Sequence, residues 1–96
     1  MEIITLSGTV SSVPESRKDL NGNNYIRFVV RCTTNDHTGD VKDTYYRCLC
    51  YDPNMKDLRK GDVVFLHGDL YANITTCDGT PILSCEVGVK CITKAL

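Results

Sequence analysis

Cysteine, histidine, tyrosine and arginine are the residues of this 96-residue chain whose chemistry could matter, and all but histidine meet in one stretch. TYYRCLCYD, Thr44 to Asp52, holds three tyrosines, one arginine and two cysteines. Two readings compete. Cys48 and Cys50 could begin a thiol or zinc site, or they could be the buried half of a strand whose other half is aromatic and basic. The spacing argues against zinc. The six cysteines (Cys32, Cys48, Cys50, Cys77, Cys85 and Cys91) form neither CxxC nor CxxH, the usual ligand spacings. In a reducing compartment they are thiols, and a small apolar thiol suits a protein core. No metal or other cofactor is expected. Catalysis is equally unsupported. His37 and His67 have no Ser, Cys or carboxylate partner at motif spacing, and neither a glycine-rich phosphate loop nor HExxH occurs.

Turn chemistry divides the chain into the elements that position these residues. It falls at Val13-Pro14, Asn21-Gly22-Asn23-Asn24, Asn35 to Asp40, Asp52-Pro53-Asn54, Lys60-Gly61-Asp62 and Asp78-Gly79. The segments between are rich in β-branched residues, aromatics and cysteine. They predict five strands, at about 3–12, 25–34, 44–51, 63–71 and 81–92. One short helical piece is predicted, from Asn54 to Arg59, between the third and fourth strands. No repeat or interdomain linker occurs, so residues 1–96 are read as one domain. Five strands with a helical insertion after the third are the recipe of the OB-fold, an all-β Greek-key barrel.

Alternation assigns the faces, because successive side chains of a strand point to opposite sides. The first strand turns Ile4, Leu6, Gly8 and Val10 to the core, with Gly8 allowing it to coil sharply. The second turns Ile26, Phe28, Val30 and Cys32 inward and Tyr25, Arg27, Val29, Arg31 and Thr33 outward. The third turns Tyr46, Cys48 and Cys50 inward and Tyr45, Arg47, Leu49 and Tyr51 outward. If the two strands are neighbours, Tyr25, Arg27, Arg31, Tyr45, Arg47 and Tyr51 share one outer surface.

Such a surface suits single-stranded nucleic acid. Unpaired bases stack on aromatic rings, and arginine pairs with phosphate through its planar fork. The same residue types also suit a protein–protein interface, and both readings stay open at this point. The overall net charge of −1 predicts neither a general polyanion binder nor a membrane-surface protein. Yet nine of the eleven Lys and Arg lie in residues 1–60, so a local basic surface is still compatible with it. The chain opens MEIITLSG, without a basic and then apolar leader, and contains no apolar run long enough to span a bilayer. A cytoplasmic protein with no membrane partner is expected.

Five segments in order carry a family likeness. ITLSGTV followed by PESR, then NGNNYIRFVVRCT, TYYRCLCYD, LRKGDVVFLHGDL and DGTPILSCEVGV together resemble the bacterial single-stranded DNA-binding protein (SSB) family of OB-folds, over almost the whole length. The resemblance implies sequence-independent binding of single-stranded DNA in replication, recombination or repair, without enzymatic activity, by a homo-oligomer (dimer or tetramer). The family's third-strand tryptophan falls on Tyr45, and the phenylalanine at that strand's end falls on Tyr51. A tryptophan of the loop after the second strand falls near His37. Another, in the last hairpin, falls near Thr75, where Tyr71 is the available substitute. The expected contact set is therefore Tyr25, His37, Tyr45, Tyr51 and Tyr71 for bases and Arg27, Arg31 and Arg47 for phosphates, with Lys56, Arg59 and Lys60 extending the basic track. The family's acidic C-terminal tip has no counterpart after CITKAL, so recruitment of partners through it is not expected. A likeness to primosomal replication protein B, and an OB-fold serving as a protein-interaction module, are the alternatives.

Overall fold

The computed structural model describes residues 2–95. Six strands run in the order β1 (Glu2–Val10), β2 (Glu15–Lys18), β3 (Asn24–Asn35), β4 (Val41–Cys50), β5 (Val63–Cys77) and β6 (Thr80–Lys94), with one 3₁₀ turn at Pro53–Met55. Pairing follows β1-β5-β6-β4-β3-β2, and β1 pairs again with β3. That second pairing closes five strands into a barrel and leaves β2 outside, on the edge of β3. All neighbours are antiparallel except β4 and β6. This is the OB-fold expected from the strand count and insertion.

Closure depends on β1 serving two partners. Glu2 to Thr9 pair with β5, while Thr9 and Val10 pair with Arg31 and Val30 of β3. Gly8 sits where the strand changes partner. A Cβ there would collide with the Arg31 carbonyl oxygen and come within 2.8 Å of Val30 Cγ1. Only glycine lets the two backbones meet so closely. Beyond the strand, the Ser11 amide donates to the Val29 carbonyl at 2.8 Å, and the Val29 amide donates to Ser12 Oγ at 2.9 Å.

On β1, β3 and β4 the inward residues are those that alternation selects, and β5, β6 and Leu58 complete the core. Leu6, Val10, Ile26, Phe28, Val30, Cys32, Cys48, Cys50, Leu58, Val64, Leu66, Val87 and Ile92 form one buried cluster, with Ile4 and Tyr46 packed against it. Cys48 and Cys50 are thus core residues. Burial pushes the Cys48 thiol up to about 12, so it stays protonated and unreactive. Among the described residues no group of His, Cys, Asp and Glu could hold a metal ion.

The predicted elements shift in several places: β1 ends at Val10 and β4 already begins at Val41. Glu15–Lys18 is a strand beyond the five predicted, extending along β3 and pairing Glu15 with Arg27 and Arg17 with Tyr25. Its four residues are all exposed, so no apolar alternation marked it as a strand. The helical piece predicted at 54–59 shrinks to Pro53–Met55. Asp52 caps it by accepting from the Asn54 amide, but the chain must immediately place Leu58 in the barrel mouth and turn at Gly61, whose φ is +98°, to enter β5. The last hairpin is longer than expected, continuing on β5 to Cys77 and on β6 from Thr80. Its loop is Asp78-Gly79, with φ of 50° and 79°, the two-residue turn whose twist matches paired strands.

Candidate nucleic-acid interface

Neighbouring strands bring the outward residues of β3 and β4 together because paired residues share a side of the sheet. Arg31 is opposite Tyr45, Val29 opposite Arg47, and Arg27 opposite Leu49. The rows continue across the barrel. Arg47 is beside Glu86 on β6, and Glu86 is opposite Tyr71 on β5. Tyr71 therefore belongs to the same outer surface, and its ring approaches Gly88, where a Cβ would sit 3.6 Å from its Cε2. On the other flank β2 adds Glu15 and Arg17 beside Arg27 and Tyr25. Arg17 was missed by sequence reasoning; alternation within ESRK, continuing the register of β3, is the signal that could have found it.

Three shallow depressions lie on this surface. One, of about 380 Å³, is lined by Tyr25, Tyr51, Lys56, Asn24 and Ser16 over Ile26 and Cys50. The second, of about 260 Å³, lies between Arg27, Arg47, Glu15 and Ser12. The third, of about 480 Å³, is lined by Arg31, Tyr45, Lys60 and Thr9. The sequence placed Lys56, Arg59 and Lys60 in one basic track. The structure separates them, with Lys56 at the Tyr51 end, Lys60 at the Tyr45 end and Arg59 lining none of these depressions.

The two ends differ in how their rings are held. Tyr25 and Tyr51 lie against each other, centroids 5.2 Å apart and planes tilted by 39°. The Tyr51 hydroxyl donates to Asp19 Oδ2 at 3.1 Å. Asp19 also accepts from the Asn21 and Asn23 amides, each at 2.9 Å, and so builds the β2–β3 turn. The Asn23 amide first, then the Tyr51 hydroxyl and the Asn21 amide, draw the Asp19 carboxyl below its ordinary value against a partial desolvation that opposes them. Desolvation first, then the bond to Asp19, raise the Tyr51 phenol. Tyr45, by contrast, is 55% exposed and makes no ring contact among the described residues.

The arginines also differ. Arg27 lies 3.7 Å from Glu15, which also bonds Arg17, and Arg47 lies 4.0 Å from Glu86. Among the described residues Arg31 has no carboxylate within 4.0 Å. His37 stands apart from the rest of the set. It lies in the β3–β4 turn organised by Asp36, which accepts from the Thr38 and Asp40 amides. That turn lies past the Thr33–Asp43 and Asn35–Val41 pairs, beyond Arg31 and Tyr45. His67 is exposed on the opposite side, paired with Thr5 and Cys91.

Comparison with known proteins agrees with this architecture. The chain superposes on a Plasmodium falciparum SSB in complex with ssDNA with a TM-score of 0.72, at 22% identity, covering 99% of this chain and 95% of that one. A small single-stranded DNA-binding protein from Streptomyces coelicolor gives 0.73 at 21% identity, with 99% and 94% covered. A deletion mutant of the Thermus aquaticus single-stranded DNA binding protein gives 0.65 at 20% identity, with all of this chain and 51% of that one covered. No curated protein matched by sequence. The sequence model of the single-strand binding protein family matches residues 1–91. The chain therefore belongs to the single-strand binding protein family, whose members are non-enzymatic binders of single-stranded DNA.

Proposed function

We propose that single-stranded DNA runs along the outer face of β3 and β4, stacking bases on Tyr51 and Tyr25 at one end and Tyr45 at the other. The observation that carries this reading is the row of depressions lined by Tyr25 and Tyr51, by Arg27 and Arg47, and by Arg31 and Tyr45. Arg17, Arg27, Arg31, Arg47, Lys56 and Lys60 take phosphates, and Arg59 adds charge to the rim. Tyr71 and His37 extend the path on either side, toward the β5–β6 arm and the β3–β4 turn. Such an interface stacks bases without reading them, which fits a role in replication, recombination or repair. Fluorescence anisotropy with labelled dT oligomers tests it. Binding is expected at low salt and is expected to weaken linearly in log–log form as salt rises. Absence of binding at low salt would overturn the reading.

We further propose that the protein works as a homo-oligomer through β1. One edge of β1 pairs with β5, but its other edge pairs only at Thr9 and Val10, which leaves Glu2 to Ser7 open to a second copy. Beside that edge the outer residues include Ile3, 79% exposed, and Phe65, 53% exposed, an apolar surface that a partner would cover. Light scattering should give a mass of at least two chains, and a monomer at working concentration would refute it. The six free thiols fit a reducing, cytoplasmic location.

A further inference from the structure

The middle of the proposed DNA path carries two arginines, Arg27 and Arg47, and each lies beside a carboxylate. Glu15 is the Cα partner of Arg27, and Glu86 is the Cα partner of Arg47. Register therefore puts each carboxylate on the same outer surface as its arginine. The resulting pairs are close, at 3.7 Å and 4.0 Å, yet all four side chains keep 39–53% of their surface in solvent. Each guanidinium can leave its carboxylate without burying a charge. Glu15 is firmly ionised, because the hydrogen bond and charge of Arg17, then the charge of Arg27, hold its carboxyl below the usual range. Carboxylate and phosphate use the same guanidinium donors, so one arginine cannot serve both fully. Arg31, Lys56 and Lys60 at the two ends meet no such rival among the described residues.

We propose that Glu15 and Glu86 are affinity-limiting residues that compete with DNA phosphates for Arg27 and Arg47, so that the strand is held firmly at both ends of the face and only loosely across its middle. This inference rests on the proposed DNA path along β3 and β4. Its consequence is a face that binds single strands without gripping them throughout. A phosphate entering the middle must displace a carboxylate, which then stays nearby and repels it. The exchange also reduces net ion release, so binding is less salt-dependent than a count of arginines suggests.

Glu15→Gln and Glu86→Gln test the idea, with dT-oligomer affinity measured across a salt series. Each should tighten binding about 5-fold, the screened effect of one unit charge removed at about 4 Å. Each should also steepen the log–log salt slope by up to about 0.7, the single-strand value per phosphate neutralised. Combining Glu86→Gln with Arg47→Ala should abolish the gain. Asp78→Asn, at the tip of the β5–β6 turn, removes the same charge away from the arginines and should leave affinity unchanged. Unchanged affinity in both glutamine variants, or equal tightening in Asp78→Asn, would overturn the proposal. If the glutamine variants are neutral while Tyr45→Ala loses binding, the competition fails but the DNA path stands. If Tyr45→Ala and Tyr51→Ala both bind normally, the path itself is wrong.

Discussion

The two ends of the β3–β4 face present the same residue types in opposite states. At one end Tyr51 is braced by Tyr25 and tethered to Asp19, and Asp19 is locked into the β2–β3 turn. At the other, Tyr45 and Arg31 stand opposite each other with neither ring brace nor carboxylate partner among the described residues. A braced ring has already lost the rotamer freedom that base stacking would cost it. A free ring retains that freedom but can adjust to the base it meets. One face thus combines a preset ring with an adaptable one. Six residue steps lead from Tyr45 to Tyr51, just past the end of β4, or about 20 Å at the usual rise, so the two ends do not share partners.

The largest test of this contrast removes the rings. Tyr51→Ala and Tyr45→Ala should each weaken dT-oligomer binding by about 1–3 kcal/mol, as loss of one stacked base does. Because the sites are distant, the double variant should cost the sum. Oligomers too short to bridge both ends should respond to one variant or the other, not both. If only one end responds with long oligomers, the face holds one platform and the comparison collapses.

Gly8→Ala addresses the scaffold under the open end. The added Cβ collides with the Arg31 carbonyl and with Val30, where β1 and β3 close the barrel. Overpacking of this kind costs about 1–3 kcal/mol, measurable by chemical denaturation. The effect on binding should fall on the Tyr45 end, because Arg31 is displaced while the Asp19 turn is not. A variant as stable as the parent would mean that the β1–β3 crossing is more yielding than its close backbone contact indicates.

How much of this was readable beforehand divides along physical lines. Buried positions were legible: alternation put Ile26, Phe28, Val30, Cys32, Cys48 and Cys50 inside, and all six are buried. A core residue is dictated by the period of its own strand. The shared surface of Tyr25, Arg27, Arg31, Tyr45 and Arg47 followed from the same rule once β3 and β4 were neighbours. What escaped depends on chain segments distant in sequence. The carboxylates of Glu15 and Glu86 reach Arg27 and Arg47 only through the β2–β3 and β4–β6 pairings. Asp19 looked like an ordinary turn residue, and its second task, 32 positions from Tyr51, appears only in three dimensions. Lys56 and Lys60 are close in sequence yet line different depressions, one with Tyr51 and one with Tyr45, which the sequence did not reveal.

Smaller changes separate bracing from stacking. Tyr51→Phe keeps the ring and deletes the hydroxyl that reaches Asp19. It should weaken binding by about 0.5–1.5 kcal/mol, the usual net worth of one hydrogen bond. Tyr45→Phe, with no hydroxyl bond among the described residues, should change little. Equal losses in the two would show that both hydroxyls meet DNA directly, and the tether would then explain nothing.

The smallest effect is the pH range of the tether itself. Asp19 has its carboxyl lowered from 3.8, so its contribution is complete above that value and disappears as pH falls through the lower folded-state pKa. Tyr51 has its phenol raised from 10, so the neutral donor persists past pH 10 and the bond is lost as pH rises through the folded-state value. The brace therefore spans roughly pH 4 to 10 and is indifferent to changes near neutrality. NMR titration of the Tyr51 ring should give a midpoint above 10. Asp19→Asn should bring it only part of the way back, because desolvation, the larger cause, remains. A full return to 10 would assign the whole shift to Asp19. No movement would mean that Asp19 does not hold the ring, and the two ends of the face would then differ only in the contact between Tyr25 and Tyr51.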